Sequence, residues 1–422
     1  MSAQPSESAK RAPHEAAALD LAALRAQFPI LSRQIHGKPL IYFDNANTAQ
    51  KPLAVLQASD DFYRLHNANV ARAVHTLSEE ATALYEATRG KIAGLLKVAD
   101  PREIVHTRGT TEAINLVAHG WLRPRLRQGD EVLVTTMEHH ANIVPWQLAC
   151  AASGASLKVV SLRADGSLDL DSLEALLGPR TRLCAVAHVS NVLGTINPIA
   201  AIAARCRAAG VPLLVDGSQA VPHLAVDVPA LGCDFYCFTG HKLYGPTGTG
   251  ALWGRYELLE AMQPFMGGGE MIETVSFEGS VYAAPPRRFE AGTPNIAGVV
   301  GLGAAIDWWL SLDHAAVATH EAAIGSALRQ VLLAVPGLRL IGDAAERLPV
   351  YSFLIDGVHA TDLAMLLDHE GVAVRSGQHC AHPLMRHYGV NATARASLAL
   401  YNSMDEVERF ALALDKVRRM LA

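Results

Sequence analysis

Short apolar runs alternate with helical patterns between about residues 78 and 260. Six runs have the length and composition of buried strands: 103–107, 131–135, 157–162, 183–189, 212–216 and 234–238. The segments between them, such as 78–96 and 199–209, carry apolar residues at three- and four-residue spacing, which predicts helices. Strands that alternate with helices predict βαβ units, and therefore an α/β protein built on a doubly wound, mostly parallel sheet.

A glycine-rich segment, 266–294, interrupts this alternation. It contains too many aromatic and charged residues for a flexible tether, so we expect an ordered loop or hairpin. A long helical stretch follows from near Ile296, and the runs PVYSFLI, VAVRS and ARASLAL then predict the strands of a smaller C-terminal α/β domain. The predicted organisation is a disordered extension over 1–20, an N-terminal helix over 21–34 packed on the small domain, a large domain over 35–297 and a small domain over 298–422.

Composition narrows the class of protein. Charged residues make up 18% of the 422 residues and the formal net charge is -5, so there is no basic surplus for a nucleic-acid partner. The first residues lack the apolar core of a signal peptide, and nowhere do about 18 uncharged apolar residues run together. We therefore expect a cytoplasmic protein without a membrane partner. The six cysteines have no CxxC spacing, so neither a disulfide framework nor a metal site is expected.

Polar residues follow several predicted strands, and in open α/β sheets ligands bind at the carboxyl ends of strands. Thr110 and Thr111 follow the run 103–107 and open a helical pattern, where free amides and the helix dipole suit a phosphate; a plain threonine N-cap is the alternative. His139 follows the run 131–135. Its ring can lie against a planar cofactor, or the residue can be a surface or capping histidine.

Two further strand ends carry a carboxylate and an amine. Asp216 ends the run 212–216 beside a tight turn, where it can hold a protonated heterocyclic nitrogen or cap a helix. Lys242 follows the run 234–238 in a turn bounded by glycines and a proline. A desolvated lysine loses its charge readily and becomes an imine-forming nucleophile.

Together these residues supply what pyridoxal phosphate requires: phosphate ligands, a cover for the ring face, a partner for the ring nitrogen and an amine for covalent attachment. Nucleotide sites fit less well. The sequence has no GxxxxGK[ST], and GLGAAI at 301–306 lacks the third glycine and follows no strand. We therefore predict a pyridoxal phosphate enzyme.

A series of ordered segments then resembles one family. They are YFDNANTAQKP, TRGTTEAINLVA, MEHHANIVPW, HVSNVLGT, VDGSQA, TGHKLYGPTG, FEAGTP, AVRSGQHCAHPLM and ARASLALYN. From about Leu24 to the C-terminus the chain resembles the class V aminotransferase-fold cysteine desulfurases, and among them the SufS-type (group II) enzymes. The resemblance implies a homodimer with the fold of the fold type I PLP-dependent transferases.

The resemblance also implies roles for the cofactor-binding residues. Lys242 would attach the cofactor covalently and move protons, and His139 would stack on its ring and assist proton transfer. Asp216 would pair with the ring nitrogen and Gln219 with the phenolic oxygen. The expected phosphate ligands are Thr110, Thr111, Thr239, His241 and, from the other subunit of the dimer, Thr293.

The implied substrate is L-cysteine. Asn191 and Arg395 would bind its carboxylate, and Arg375 would help to position the loop of Cys380. Cys380 lies in a short polar turn with neighbouring cations and bases, unlike the other cysteines, and would take the sulfur as a persulfide while L-alanine is released. A small acceptor protein of the SufE or SufU type would then receive the sulfur for iron–sulfur cluster assembly.

The sequence leaves other activities open for this chain. The same scaffold also carries selenocysteine lyases, cysteine sulfinate desulfinases and true aminotransferases, and a catalytically inactive homologue that binds a partner is an alternative of another class. One segment departs from the family pattern: residues 71–75 read Ala-Arg-Ala-Val-His, without the first histidine and the glycine of the usual His-Arg-Gly run. The contacts that the family makes through this rim of the site are therefore in question for this chain.

Overall fold

The computed structural model describes residues 19–71 and 74–421. Most of the extension predicted for 1–20, and Arg72 and Ala73 of the departing segment, therefore lie outside the described residues. Within the described ranges, no single helix is both long and apolar enough to cross a bilayer. The consecutive helices Ile296–Leu310 and His314–Leu333 combine the required length and hydropathy only together, across an 86° bend.

A seven-stranded sheet forms the centre of the larger part of the molecule. Its strands, in spatial order, are Ile104–Thr107, Gly250–Gly254, Phe235–Thr239, Leu213–Asp216, Thr181–Ala187, Glu131–Thr135 and Ser156–Val160. Gly250–Gly254 is antiparallel to both of its neighbours, and the other pairs are parallel. Six of these strands coincide with the six predicted runs, so the mostly parallel sheet is confirmed, whereas Gly250–Gly254 was not predicted.

Both faces of this sheet are buried. Along the strand Glu131–Thr135, Val132 and Val134 belong to one hydrophobic cluster and Leu133 to another. The same alternation holds in the neighbouring strands, because successive side chains of a strand point to opposite faces. Helices therefore cover the sheet on both sides, as expected of a doubly wound fold.

The helices are distributed along the whole described chain. They are Leu21–Ala26, Leu53–Asp61, Thr76–Leu95, Thr110–Leu116, Val144–Ser153, Leu170–Leu176, Ile199–Ala208, Val228–Leu231, Tyr256–Glu260, Ile296–Leu310, His314–Leu333, Ala360–His369, His382–His387 and Met404–Leu421. Shorter helical turns are Pro29–Ser32, Phe62–His66, Pro101–Glu103, Val117–Leu122, His140–Asn142 and Arg287–Phe289.

A second sheet forms the smaller, C-terminal part. Its antiparallel strands, in spatial order, are Leu338–Leu340, Val350–Ile355, Thr393–Ser397 and Arg375–Gly377. Val372–Ala373 pairs in parallel with Ile41–Tyr42, so the N-terminal segment is joined to this part of the molecule. That pairing brings the residues after Tyr42 to the edge of the site described below.

The segment predicted as a helix over 21–34 is helical over Leu21–Ala26 and then over the turn Pro29–Ser32. Pro29 disfavours a helical conformation at the preceding Phe28, which separates the two pieces. Phe28 is buried against the rings of Tyr244, Trp308 and Tyr401. The segment thus contacts both parts of the molecule, and the predicted domain boundaries stay a prediction.

The glycine-rich segment contains the antiparallel strands Ile272–Val275 and Ser280–Tyr282, so the ordered hairpin is confirmed. Phe277, at its tip, is exposed. A shorter hairpin joins Gln34–Ile35 to Lys38–Pro39.

Candidate active site

A cavity of about 770 Å³ opens at the carboxyl ends of the parallel strands. It is bordered by residues from both parts of the molecule. The predicted site residues that line it are Thr110, Thr111, His139, Asn191, Asp216, Gln219, Thr239, His241, Lys242, Arg375, Cys380 and Arg395. Thr293 is exposed and does not line the cavity of its own chain. Its expected role, as a phosphate ligand in the other subunit of a dimer, stays a prediction.

Lys242 lies in the turn that follows the strand Phe235–Thr239. The carbonyl of the preceding His241 accepts hydrogen bonds from Lys51 Nζ at 2.8 Å and from Thr48 Oγ1 at 3.1 Å. These bonds fix the backbone from which the Lys242 side chain extends. Burial lowers the pKa of Lys242 from 10.5 to about 8, against the opposing effect of Asp216. A much larger share of this amine is therefore neutral near physiological pH than for an exposed lysine.

His139 caps a short helical turn, with Nδ1 accepting the Ala141 N–H at 3.0 Å. Burial, followed by the nearby charge of Lys242, lowers the pKa of His139 to about 4. The ring is therefore neutral, carries its proton on Nε2 and has a fixed tautomer. Beneath it, Glu138 accepts bonds from Thr135 Oγ1 and Asn142 Nδ2, which orders the loop.

Asp216 ends the strand Leu213–Asp216, and its Oδ1 accepts the Ser218 N–H at 2.9 Å. The Ser218 hydroxyl lies 2.6 Å from that of Thr110. Gln219 donates to the Ala46 carbonyl at 2.6 Å. The carboxylate and the side chains beside it are thus held in place by buried hydrogen bonds.

The helix Thr110–Leu116 follows the strand Ile104–Thr107. Its N-cap residue, Gly109, has no side chain that could bond to the first amides. Gly109 has φ +148°, and a Cβ there would lie 3.3 Å from Thr239 Oγ1. A cradle of uncapped amides and threonine hydroxyls suits a phosphate. With the amine of Lys242 and the carboxylate of Asp216, the described residues fit pyridoxal phosphate.

Arg395 is buried at one side of the cavity. Its Nη1 donates to the Asn191 carbonyl at 2.8 Å and its Nη2 contacts Asp44 Oδ1 at 3.0 Å. The Nε atom is buried without a hydrogen-bond partner among the described residues. Arg375 contacts the other oxygen of Asp44 at 3.5 Å. The Arg395 guanidinium thus has one unused buried donor and is paired with the Asp44 carboxylate. Such a cation suits an anionic substrate group.

Cys380 is exposed, whereas the five other cysteines are buried. Cys380 and the preceding His379 have φ of +56° and +53°, in the left-handed region. The side chain of Asn191 donates to the His379 carbonyl at 2.8 Å, and the His140 N–H donates to the Cys380 carbonyl at 2.7 Å. The thiol therefore stands on an ordered loop at the rim of the cavity.

Some residues of the site had no role assigned from the sequence. Asp44 and Lys51 lie in YFDNANTAQKP, a segment that matched the family but contains no strand-end signal of its own. Their contacts with Arg395 and with the His241 carbonyl join positions more than 180 residues apart. The family match was the available signal, because no local pattern encodes such pairs.

Comparison with known proteins agrees with this geometry. The aminotransferase class-V family matches residues 41–410. A Xylella fastidiosa (strain Temecula1 / ATCC 700964) protein named "Probable cysteine desulfurase" is 58% identical over 398 residues, 94% of this chain and 95% of that protein. The structure of the cysteine desulfurase CsdA from Escherichia coli superposes with a TM-score of 0.90 at 42% identity, covering 96% of this chain and 100% of that one.

A variant of C-DES with glycine covalently linked to its PLP cofactor superposes with a TM-score of 0.80 at 25% identity, covering 92% of this chain and 98% of that one. The chain therefore belongs to the aminotransferase class-V family of PLP-dependent enzymes. Within that family it belongs to the cysteine desulfurases. The predicted family, the fold type I architecture and the class of enzyme are thereby confirmed.

Proposed function

We propose that this enzyme removes sulfur from L-cysteine, giving L-alanine and a persulfide on Cys380. The observation that carries the proposal is the placement of Lys242, Arg395 and Cys380 around one cavity. It combines a desolvated amine, a buried guanidinium with a free donor and an exposed thiol. A transaminase reaction requires the first two groups, whereas transfer of sulfur to the protein also requires the third.

The cofactor in this proposal is pyridoxal phosphate. Lys242 would attach it, Asp216 would pair with its ring nitrogen, Gln219 with its phenolic oxygen, and His139 would cover the ring. The phosphate ligands would be Thr110, Thr111, Thr239 and His241. When bound, the cofactor supplies an electron sink that labilises bonds around the substrate α-carbon.

The side chains of this chain then perform the steps around the substrate. Arg395 and Asn191 would orient the carboxylate, which presents the α-proton to the neutral amine of Lys242. Cys380 Sγ, as thiolate, would attack the substrate sulfur, so that a sulfur–sulfur bond forms as the carbon–sulfur bond breaks. The electron pair of the broken carbon–sulfur bond would stay with the carbon skeleton. The skeleton would regain the proton held by Lys242, take up a second proton that balances the one lost from the Cys380 thiol, and leave as L-alanine.

The test is a product assay on the purified protein with added pyridoxal phosphate. L-Cysteine with a thiol reductant should give L-alanine and sulfide in equal amounts, and a mass increase of one sulfur should appear on Cys380 when the reductant is omitted. Absence of alanine would contradict the proposal. Parallel assays with selenocysteine and cysteine sulfinate distinguish the related lyases, since a selenocysteine lyase or a desulfinase would turn over its own substrate faster than L-cysteine.

The homodimer is part of the same proposal. Thr293 is exposed and follows the projecting hairpin 272–282, as expected if it completes the phosphate site of a second copy of the chain. Light scattering at the concentration of the assay should report a dimer. An active monomer would show that the site is complete within one chain.

The sulfur acceptor would be a small protein of the SufE or SufU type that brings its own cysteine to the rim of the cavity. The support for this is the held loop of Cys380, whose backbone contacts oppose a large swing of the thiol. Basal turnover should therefore be slow and should rise when a suitable acceptor is added. Adding candidate acceptors one at a time to the alanine assay identifies the partner.

A further inference from the structure

The loop of Cys380 is held in a conformation that its sequence does not favour. His379 and Cys380 both have positive φ, and neither is glycine. Two consecutive residues of this kind persist only where surrounding contacts fix them. The contacts that restrain the loop therefore decide where the thiol is placed.

His140 makes two such contacts. Its backbone N–H donates to the Cys380 carbonyl at 2.7 Å. Its ring Nε2 accepts the backbone N–H of His382 at 3.1 Å and lies 2.9 Å from His382 Nδ1. The two imidazole rings stack with centroids 4.7 Å apart and an interplanar angle of 10°. One residue thus binds the loop at the cysteine itself and again two residues later, at His382.

The backbone contact also fixes the tautomer of His140. Because Nε2 of His140 accepts a backbone N–H, a neutral His140 carries its proton on Nδ1. A proton on Nε2 of His140 would point at the His382 N–H and break that contact. The arrangement therefore requires a neutral His140, and burial followed by the neighbouring His382 lowers the pKa of His140 accordingly.

We propose that His140 is a positioning residue for the sulfur-accepting Cys380, acting through its Nε2 acceptor on the His382 N–H. His140 follows directly after His139, so the same short turn that covers the cofactor site also fixes the thiol loop. The contacts above show how His140 holds the loop. Only the consequence of this hold for sulfur transfer rests on the proposed function.

The test compares two variants, His140→Gln and His140→Asn, whose neutral amide side chains differ in length. The side chain of glutamine extends about as far as Nε2 of histidine, so His140→Gln keeps an acceptor near the His382 N–H. Asparagine is shorter, so His140→Asn removes that acceptor while the variant stays polar. Both variants keep the backbone bond to the Cys380 carbonyl, and unchanged cofactor absorbance shows that His139 is undisturbed.

The first measurement is hydrogen–deuterium exchange of the peptide that contains residues 378–384 in the holoenzyme. The second is the single-turnover rate of persulfide formation on Cys380. In His140→Asn, exchange at the His382 amide should accelerate, and the persulfide rate should fall, each by roughly three- to tenfold, as the loss of one hydrogen bond predicts. The KM for L-cysteine should stay unchanged, because the carboxylate site is not altered, and His140→Gln should restore both values.

Wild-type exchange and persulfide rates in His140→Asn would overturn the proposal, as would equal losses in both variants. A wild-type protein that forms no persulfide would refute the proposed function instead. The exchange measurement would then still decide whether His140 holds the loop, since it requires no turnover.

Discussion

The Lys242 turn and the Cys380 loop border the same cavity but are built differently. The turn is sealed: Leu243 and Tyr244 are fully buried, and a Cβ on Gly240 would lie 2.2 Å from Thr249 Oγ1. The loop is open: Cys380 is exposed, and its strained backbone is held by Asn191 and His140 from elsewhere in the chain.

The difference follows from the chemistry that each group is expected to perform. An amine becomes a nucleophile at neutral pH when it is desolvated, so Lys242 benefits from a dry, rigid turn. A thiol that passes sulfur to another protein must be reachable, so Cys380 lies at the rim. The cavity thus combines a desolvated amine, Lys242, which is expected to attach the cofactor, with an exposed thiol, Cys380, which is expected to carry the sulfur.

The sealed turn gives the largest expected effect. Lys242→Ala should lower alanine formation from L-cysteine by about a thousandfold or more, because the amine is required both for attachment and for proton transfer. Thermal unfolding should change little, since the amine packs against a cavity. Lys91→Met is the control: this lysine pairs with Asp307 outside the cavity, and the variant should turn over normally. Normal rates in Lys242→Ala would refute the cofactor assignment.

The open loop gives the next effect. Cys380→Ser should still bind L-cysteine and perturb the cofactor spectrum, while persulfide and alanine formation fall by about a hundredfold or more, because serine cannot accept the sulfur. Selenocysteine turnover should partly survive. Cys150→Ala, at a buried cysteine, should turn over normally. A Cys380→Ser variant that desulfurates cysteine at the wild-type rate would mean that another thiol accepts the sulfur or that sulfide leaves directly.

The proposed site for the substrate carboxylate, at Arg395, borders the same cavity. Substitutions at this site should change the KM for L-cysteine. Arg395→Lys should raise the KM for L-cysteine by about tens of fold, because an ammonium cannot reproduce the forked donors of a guanidinium. Asp44→Asn should raise KM by a smaller factor, since it removes one support of Arg395 and leaves the guanidinium in place. Steady-state kinetics measure both, and an unchanged KM in Arg395→Lys would place the carboxylate elsewhere.

The sealed region was the more predictable of the two from the sequence. Six strands of the large sheet were predicted because each is a compact run of apolar residues. Asp216 ends one of these runs, and Lys242 lies in the turn after another. Gly250–Gly254 was missed, since it begins and ends with glycine, and its antiparallel direction depends on its neighbours. Local pattern therefore gave the parallel core and the residues at its strand ends.

The open region depends on contacts that no local pattern contains. His140 and His382 are 242 positions apart, and their contact requires the large and small parts of the molecule to be packed together. The sequence distinguished Cys380 from the other cysteines by its polar neighbours. It did not indicate the left-handed backbone at Cys380, because glycine is the residue that normally signals that conformation.

The smallest effect concerns pH and follows from the sealed character of the Lys242 turn. The protonated ammonium cannot attack an aldehyde, and burial lowers the pKa of Lys242 from 10.5 to about 8. The rate at which the apoprotein binds pyridoxal phosphate covalently should therefore rise about fivefold from pH 7 to pH 8 and level off above about pH 9. Under the same conditions Nα-acetyl-lysine should continue to accelerate to about pH 10. Asp216→Asn should move the midpoint to lower pH, because Asp216 favours the charged amine. A protein midpoint that coincides with that of the free lysine would show that the turn does not desolvate Lys242.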